Sequence, residues 1–260
     1  MALLSCEGVT VRFGGLVAVD DVSFTVQPGE MVCVIGPNGA GKSTLFNAIT
    51  GIYRPSGGNI VFRERRLNHA APHQVVALGI ARTFQSSRLF GDMSVLDNVI
   101  VGMHTRTSTG VLTALLRHGR SRRELAGCIE RAEEILASIS ASLFDQRHRA
   151  AGELAQADRR RLEIARAVAS EPHLLLLDEP SSGMDDTETA ELAGELTRLL
   201  QRFPDRAMMI VEHDMNLVSA FPGRVMVLDY GRKIAEGTFD EIRQLNHVQE
   251  AYLGTRAADA

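Results

Sequence analysis

Apolar residues follow two spacings along this chain, and each spacing predicts a different kind of element. Unbroken apolar runs at residues 31–35, 174–177 and 207–211 predict strands that are buried on both faces of a sheet. Apolar residues three or four positions apart at 94–140 and 187–202 predict helices with one buried face. Because strands and helices follow one another along the chain, we expect an α/β fold with a mostly parallel sheet.

Two further stretches of the chain have residue patterns that predict their structure. Residues 3–35 contain short alternating segments separated by Gly-containing turns, which predicts several strands before the first helix. In the helical stretch, Leu125 and Leu136 lie on the predicted apolar face, and we interpret the charged residues of the other face as solvated surface. This stretch is a candidate lobe for docking a partner.

Composition excludes some classes of protein. The chain has 260 residues and a net charge of −4, which argues against nucleic acid as the main partner because phosphate-backbone binding needs a basic face. Cys6, Cys33 and Cys128 are far apart, so we expect reduced thiols rather than disulfides or a metal site. The N-terminus lacks signal-peptide features, and no apolar run approaches the ~18 residues of a membrane span. We expect a chain that is not embedded in a bilayer but is able to dock on a membrane protein.

Residues 36–44 carry the strongest chemical signal. They read Gly-Pro-Asn-Gly-Ala-Gly-Lys-Ser-Thr and fit the phosphate-loop pattern G-x-x-x-x-G-K-[ST], between a predicted strand and a predicted helix. Glycines let the backbone N–H groups turn inward around an anion, and the helix adds the positive end of its dipole. The candidate ATP-binding residues in this phosphate loop are Gly36, Asn38, Gly39, Ala40, Gly41, Lys42, Ser43 and Thr44. Lys42 would reach the terminal phosphates, and the Ser43 hydroxyl would bind Mg²⁺.

A second signal lies at the ends of two later strands. The four leucines at 174–177 stop at Asp178 and Glu179, and the run at 207–211 is followed closely by His213. In parallel sheets, ligands gather at the carboxyl ends of strands. Asp178 therefore fits a Mg²⁺-coordinating acid and Glu179 fits a group that polarises water, while His213 is a candidate contact to a γ-phosphate.

Three other polar or aromatic features leave alternatives open. Phe13 fits a ring that stacks on adenine, or a core or strand-edge phenylalanine. Gln85 fits a ligand of Mg²⁺ or of the attacking water, or a surface glutamine. The arginines at 159–161 open a predicted helix over 159–169, and a solvated helix start is the default interpretation over phosphate binding.

Taken together, these motifs resemble the nucleotide-binding subunit of ATP-binding cassette (ABC) transporters, most closely the ATPase of branched-chain amino acid importers. The resemblance runs nearly end to end. It is carried by residues 13–19, 79–85, 88–90, 161–167, 211–215 and 251–254, in addition to the phosphate loop and the acid pair.

The resemblance implies a fold and a domain plan. The fold class is α/β, a RecA-like P-loop NTPase core with an N-terminal antiparallel β-subdomain and an inserted α-helical subdomain. The implied single ABC ATPase domain has four parts: the β-subdomain and P-loop core (1–88), the helical subdomain (89–150), the signature segment, acid pair and switch histidine (151–235), and a C-terminal helical appendix (236–260).

It also implies roles for individual residues. Phe13 would stack on adenine. Ser43, Gln85 and Asp178 would surround Mg²⁺, and Glu179, His213 and Gln85 would form the catalytic group for ATP hydrolysis. Asp185 would belong to a loop that communicates across a dimer interface.

One segment departs from the family pattern, which is usually Leu-Ser-Gly-Gly-Gln. Here the signature segment (154–158) reads Leu154, Ala155, Gln156, Ala157 and Asp158. Ala155 lacks the hydroxyl that grips a γ-phosphate on the opposite subunit, and we expect the Ala157 methyl to stand where that backbone should come close. We therefore expect a heterodimer, in which an intact signature on a second ABC ATPase subunit faces this chain's phosphate loop.

The resemblance further implies partners and a location. The partners would be two transmembrane permease subunits and, indirectly, an external solute-binding protein, with the chain peripheral on the cytoplasmic face of the membrane. Two other functions stay open at this point. One is an ATP-dependent switch module with weak hydrolysis, and the other is a soluble ABC ATPase that acts on DNA or ribosomes.

Overall fold

The computed structural model describes residues 1–84, 89–104 and 118–254, without the side chains of 118–124, 253 and 254. Its strands are β1 (Leu4–Phe13), β2 (Leu16–Val26), β3 (Met31–Ile35), β4 (Gly57–Phe62), β5 (Arg65–Arg66), β6 (Ile80–Arg82), β7 (Leu174–Asp178), β8 (Ala207–Val211), β9 (Arg224–Asp229) and β10 (Arg232–Gly237). Its α-helices are α1 (Lys42–Ile49), α2 (Pro72–Ala77), α3 (Val95–Gly102), α4 (His118–Ile139), α5 (Ala141–Asp145), α6 (Gln156–Val168), α7 (Asp186–Arg202), α8 (Met215–Ala220), α9 (Phe239–Ile242) and α10 (Asn246–Gly254). A 3-10 turn covers Ala151–Glu153.

The larger sheet has six strands in the order β10-β9-β3-β8-β7-β6. All neighbours in it are parallel except the pair β10 and β9. The predicted α/β class with a mostly parallel sheet is confirmed. Since parallel strands point the same way, the segments that follow β3, β7 and β8 all leave the sheet at one edge.

The apolar run of β3 explains its central place. Val32 and Val34 pack on one side of the sheet with Leu45 and Phe46 of α1, while Cys33 and Ile35 pack on the other side with α6 and α7. Every residue of β3 is buried. A strand covered on both faces needs side chains that are apolar at every position, and this is why its sequence does not alternate.

The smaller sheet is antiparallel, in the order β2-β1-β4-β5. It shares one core with α1 and one face of the large sheet, through residues such as Leu4, Val22 and Phe62. Helix α1 ends at Ile49, and Gly51 follows with φ 73°, as predicted for a glycine at a helix C-terminus.

The helical stretch packs through a narrower face than its sequence predicts. Ala132, Leu136 and Ile139 of α4 are buried in the core that includes α3 and α6. Leu125, however, is 52% exposed, so its placement on the buried face was wrong.

Helix α6 also differs from expectation. It begins at Gln156 rather than at 159, so three residues of the signature segment lie in its first turn. Arg160 and Arg161 are buried, which contradicts the solvated helix start. Arg161 pairs with Glu195 of α7 at 2.9 Å, and Arg160 pairs with Glu163 at 3.0 Å. Buried guanidinium groups persist when carboxylates compensate them. Glu163 is a local partner on the same helix, whereas Glu195 is 34 residues away and beyond the reach of a local pattern.

Candidate nucleotide-binding site

The register of three strands builds the site. Val34 of β3 pairs with Val211 of β8, and Val211 pairs with Asp178 of β7, so the three residues form a row across the sheet. Gly36 follows this row by two positions on one strand, and His213 follows it by two positions on the next. The phosphate loop, the histidine and the acid pair therefore leave the sheet side by side.

Two glycines of the phosphate loop are required by close packing. A Cβ on Gly36 (φ 150°) would lie 2.1 Å from the Leu228 carbonyl oxygen, and one on Gly41 (φ 97°) would lie 2.4 Å from the Ala18 carbonyl oxygen. Gly39 (φ 80°) has no atom within 4 Å of such a Cβ, so conformation alone favours glycine there. The loop is thus held from behind by β2 and β9.

Lys42 lies folded against this loop. Its Nζ donates hydrogen bonds to the carbonyl oxygens of Gly36 at 2.6 Å and Pro37 at 2.9 Å, and the residue is 7% exposed. Burial lowers the pKa of Lys42, while the negative charges of Glu179 and Asp178 act in the opposite direction. Lys42 therefore lies within electrostatic reach of both acids, as the site requires.

The rest of the loop is open to a ligand. Asn38 and Ser43 are exposed, Thr44 is half-buried, and Ala40 is buried beneath them. The N-terminus of α1 begins at Lys42, so its unpaired N–H groups and dipole face the same space.

Asp178 is held by residues that sequence reasoning missed. Its Oδ2 accepts a hydrogen bond from Arg82 Nη2 at 2.7 Å, and both side chains are 6% exposed. Arg82 also donates through Nη1 to Asn47 Oδ1 of α1 at 2.6 Å. The Asp178 backbone N–H donates to Thr83 Oγ1 at 3.2 Å. One guanidinium group thus links β6, α1 and the acid. Nothing in the residues next to Arg82 indicated this role, because its partner Asp178 is 96 residues away.

Glu179 and His213 lie next to each other. Glu179 has a left-handed backbone (φ 49°), uncommon for a non-glycine residue, and its N–H donates to the Val211 carbonyl oxygen at 2.9 Å. Its Oε1 is 3.7 Å from His213 Nδ1. The Glu179 side chain is 19% exposed and that of His213 is 58% exposed, so both can meet a ligand.

A third acid at this edge was also missed. Glu212 is fully buried and accepts hydrogen bonds from Ser181 and from the backbone of His213 and Asp214. An acid that directly continues a wholly apolar strand was a usable signal, since such a side chain must find donors inside the protein.

Phe13 and Gln85 have different outcomes. Phe13 is 44% exposed, and its ring meets the edge of Tyr53 with centroids 5.0 Å apart. A core position for Phe13 is therefore wrong, its place at the end of β1 agrees with the strand-edge alternative, and stacking on adenine stays a prediction. Gln85 lies outside the described residues, as does Arg88 of the segment 88–90.

Only part of the signature segment is exposed to solvent. Leu154 and Ala157 are buried, whereas Ala155 and Gln156 are exposed. The Ala157 methyl thus points into its own chain, which corrects the expectation that it obstructs an approaching phosphate. Asp158 accepts a hydrogen bond from Gln146 at 2.8 Å. Asp185 is exposed and caps α7, where its Oδ1 accepts from the Glu188 N–H at 2.8 Å.

The C-terminal helix reaches the loop from behind. Burial raises the pKa of Tyr252 in α10 to about 12, and the nearby backbone of Gly36 acts against that shift. Tyr252 belongs to the segment 251–254 that carries the family resemblance, but no role was predicted for it.

The oxygen donors at this edge fit Mg²⁺. The Ser43 hydroxyl is exposed and the Asp178 carboxylate gives only Oδ2 to Arg82. Mg²⁺ takes few protein ligands when nucleotide phosphates and water complete its shell. In the part of the chain that the structure describes, no group of three or more His, Cys, Asp or Glu residues could hold a metal ion by itself.

Comparison with known proteins decides the family. The family model described as ABC transporter matches residues 19–182. This chain belongs to the ABC transporter family. Cassettes of this family are ATP-binding and ATP-hydrolysing subunits, and the enzyme class predicted from the motifs is confirmed.

Relatives of this ABC cassette share nearly its whole length. The high-affinity branched-chain amino acid transport ATP-binding protein LivG of Salmonella typhimurium is 42% identical over 97% of this chain and 98% of its own. LivG of Escherichia coli K12 has the same identity and coverage. BraF of Pseudomonas aeruginosa, with the same description, is 37% identical over 97% of this chain and 98% of its own.

Solved cassettes share the fold. A nucleotide-free ATP-binding cassette from an ABC transporter superposes with a TM-score of 0.83 at 28% identity, over 97% of this chain and 99% of its own. An ADP-bound cassette gives 0.82 at 29% identity, over 98% of this chain and 99% of its own. Within the described residues, no helix is both long and apolar enough to cross a membrane.

Proposed function

We propose that this chain powers the import of branched-chain or other hydrophobic amino acids by binding and hydrolysing ATP. The observation that carries the proposal is the strand register that sets the phosphate loop, Asp178 and His213 side by side. The transported solute is inferred from LivG and BraF, which are 42% and 37% identical to the chain. Because these relatives are transport proteins, they support this function over a switch module.

Each residue of the site has one task in this proposal. The backbone of the phosphate loop and Lys42 bind the phosphates, and Phe13 stacks on the adenine. Ser43, Asp178 and Gln85 hold Mg²⁺, which neutralises charge on the phosphates when it is bound.

Hydrolysis then depends on two neighbours. Glu179 orients the attacking water or accepts its proton, and His213 donates a hydrogen bond to the γ-phosphate. Because phosphoryl transfer to water needs no covalent intermediate with the protein, catalysis here consists of positioning the reacting groups and stabilising their charge. The 3.7 Å separation of Glu179 Oε1 and His213 Nδ1 lets both reach one water and one phosphate.

A groove between the helical stretch and the large sheet is the proposed contact to a permease subunit. It has a volume of about 250 Å³ and lies beside β6, and its lining includes Thr83 and Phe84, which come just before Gln85 in the sequence. Its apolar walls come from Ala81, Val101 and Ala167, and Glu163 and Arg166 supply charge. An amphipathic helix from a membrane partner suits such a groove. The chain would then lie peripherally on the cytoplasmic face of the membrane, with an external binding protein delivering the solute.

The second ATPase subunit of the assembly is proposed to be a different chain. Ala155 and Gln156 occupy the exposed part of the signature segment, where a hydroxyl and a bare backbone would hold a phosphate best. A homodimer would repeat this weakness at both sites, whereas a heterodimer pairs this chain's complete phosphate loop with an intact signature.

The test is Glu179→Gln in the assembled transporter. We expect ATP to bind as in the wild type and turnover to fall by about 100-fold or more, since general-base and water-orienting groups contribute that much. Lys42→Ala is the companion variant and should lose ATP binding itself. Turnover that survives in Glu179→Gln would remove this residue from the proposed role.

A further inference from the structure

Glu212 is a charged side chain with no exposure to solvent at the catalytic edge of the sheet. Its two oxygens serve two different segments. Oε1 accepts hydrogen bonds from the Ser181 N–H at 3.0 Å and the Ser181 hydroxyl at 2.7 Å. Oε2 accepts from the N–H groups of His213 at 3.0 Å and Asp214 at 3.2 Å. Four donors thus compensate the desolvated carboxylate.

Those two segments carry the proposed catalytic pair. Ser181 follows Glu179 by two residues, with Pro180 between them, and is itself 5% exposed. His213 directly follows Glu212. Outside this carboxylate, the direct contact between the two catalytic side chains is the 3.7 Å approach of Glu179 Oε1 to His213 Nδ1. A contact of that length is too long to fix either group by hydrogen bonding.

We propose that Glu212 is a positioning residue that sets the distance between Glu179 and His213. The proposal rests on the catalytic roles given to those two residues above. A single buried carboxylate spans both loops, so neither loop can shift without breaking two hydrogen bonds. Errors of about 1 Å in the placement of reacting groups cost on the order of 100-fold in rate, so such a brace has a kinetic consequence.

Cys33 of β3 is a buried titratable neighbour of Glu212. Burial, followed by the charge of Glu212, raises the pKa of the neighbouring Cys33 thiol to about 12. Cys33 therefore stays protonated and takes no part in the chemistry.

The principal variant is Glu212→Gln. Glutamine keeps the shape of the side chain, but its NH₂ group must face one of the two pairs of donors, so one loop loses its anchor. Ser181→Ala is the milder variant, because it removes the hydroxyl and keeps the backbone hydrogen bond. Asn68→Ala is the matched control. Asn68 is 7% exposed, accepts a hydrogen bond from the Ile60 N–H and donates one to the Gly58 carbonyl oxygen, both in the antiparallel sheet, and the variant loses both.

The assay measures kcat and KM for ATP in the assembled transporter, nucleotide affinity, and the thermal midpoint of each variant. We expect Glu212→Gln to lower kcat by about 10- to 100-fold and to leave nucleotide affinity within about threefold. Ser181→Ala should lower kcat less. Asn68→Ala should lower the thermal midpoint and keep the wild-type kcat for the folded protein.

A double variant separates positioning from general stability. If Glu212 acts through His213, adding Glu212→Gln to His213→Ala lowers kcat little beyond His213→Ala alone. Fully additive effects, or a wild-type kcat in Ser181→Ala and Glu212→Gln, overturn the proposal. If Glu212→Gln does not fold, Ser181→Ala decides: an unchanged kcat overturns the brace.

Failure of the brace is distinguishable from failure of the catalytic assignment. Should Glu179→Gln and His213→Ala abolish turnover while Glu212→Gln keeps it, only the brace is wrong. Should Glu179→Gln itself keep turnover, the catalytic assignment is wrong and the brace has no pair to position.

Discussion

The phosphate loop and the signature segment are proposed to meet across a dimer of cassettes. They differ in how well their residues suit a bound phosphate. Around the phosphate loop, Gly36 and Gly41 pack against backbone carbonyls, and Lys42 is tied to the loop by hydrogen bonds of 2.6 and 2.9 Å. In the signature segment, Ala155 at the N-cap of α6 makes no side-chain capping hydrogen bond. Gln156 beside it is exposed.

This difference teaches that one chain can have a complete phosphate loop of its own and still offer few contacts to a nucleotide bound by the opposite subunit. An N-cap position favours serine because its hydroxyl satisfies N–H groups that otherwise need a ligand. Alanine there gives neither a cap nor a phosphate contact. We therefore expect the two ATP sites of the assembly to be unequal.

The largest expected effect concerns the packing of the phosphate loop. Gly36→Ala should destabilise the fold by about 5 kcal/mol and abolish ATP binding. The new Cβ would clash with the Leu228 carbonyl oxygen, and the backbone of a central strand cannot move away without a large cost. Gly39→Ala is the matched control and should cost only about 1–2 kcal/mol, because its φ is left-handed but its surroundings are open. Thermal unfolding and nucleotide titration measure both. Equal effects of the two variants would show that close packing against Leu228 is not what requires glycine at position 36.

The next effect concerns the buried ion pair of Asp178. Arg82→Met should cost about 4 kcal/mol of unfolding free energy, because it leaves a buried carboxylate without its partner. Arg131→Met is the control: Arg131 pairs with Glu134 and Glu171 at 46% exposure, so its loss should cost about 0–1 kcal/mol. Denaturant unfolding compares the two, and a similar cost for both would contradict the role given to Arg82.

The smallest expected effect concerns substitutions that restore the family pattern in the signature segment. Ala155→Ser combined with Gln156→Gly should raise ATP hydrolysis by the purified chain about tenfold, the value of one hydrogen bond to a charged group. Ala157→Gly should give no gain, because that methyl is buried in its own chain. If Ala157→Gly raises the rate as much as the double variant, then the exposed positions are not the ones that matter.

The pattern of the sequence predicted those parts of the molecule that local residues determine. The apolar run of β3, the phosphate loop after it and the acid pair at the end of β7 follow from neighbouring residues, and the parallel sheet follows from their order. Gly51 stops α1 for a reason that is also local.

The parts that were missed depend on partners far along the chain. Arg82 meets Asp178 across 96 residues, and Ser181 meets Glu212 across 31. Arg161 was interpreted as solvated because its partner Glu195 is 34 residues away. The packing of Gly36 likewise depends on Leu228. No periodicity in the sequence records such contacts, and they form only when the sheet order and the helix packing bring the partners together.

The most direct test of unequal ATP sites compares two glutamate-to-glutamine variants in the assembled transporter. One variant changes Glu179 of this chain, and the other changes the equivalent glutamate of the second ATPase subunit. We predict that Glu179→Gln removes nearly all turnover, because in the proposed heterodimer this chain's phosphate loop faces the intact signature, and that the other variant retains a substantial part. Equal losses, or a greater loss from the partner's glutamate, would contradict the account.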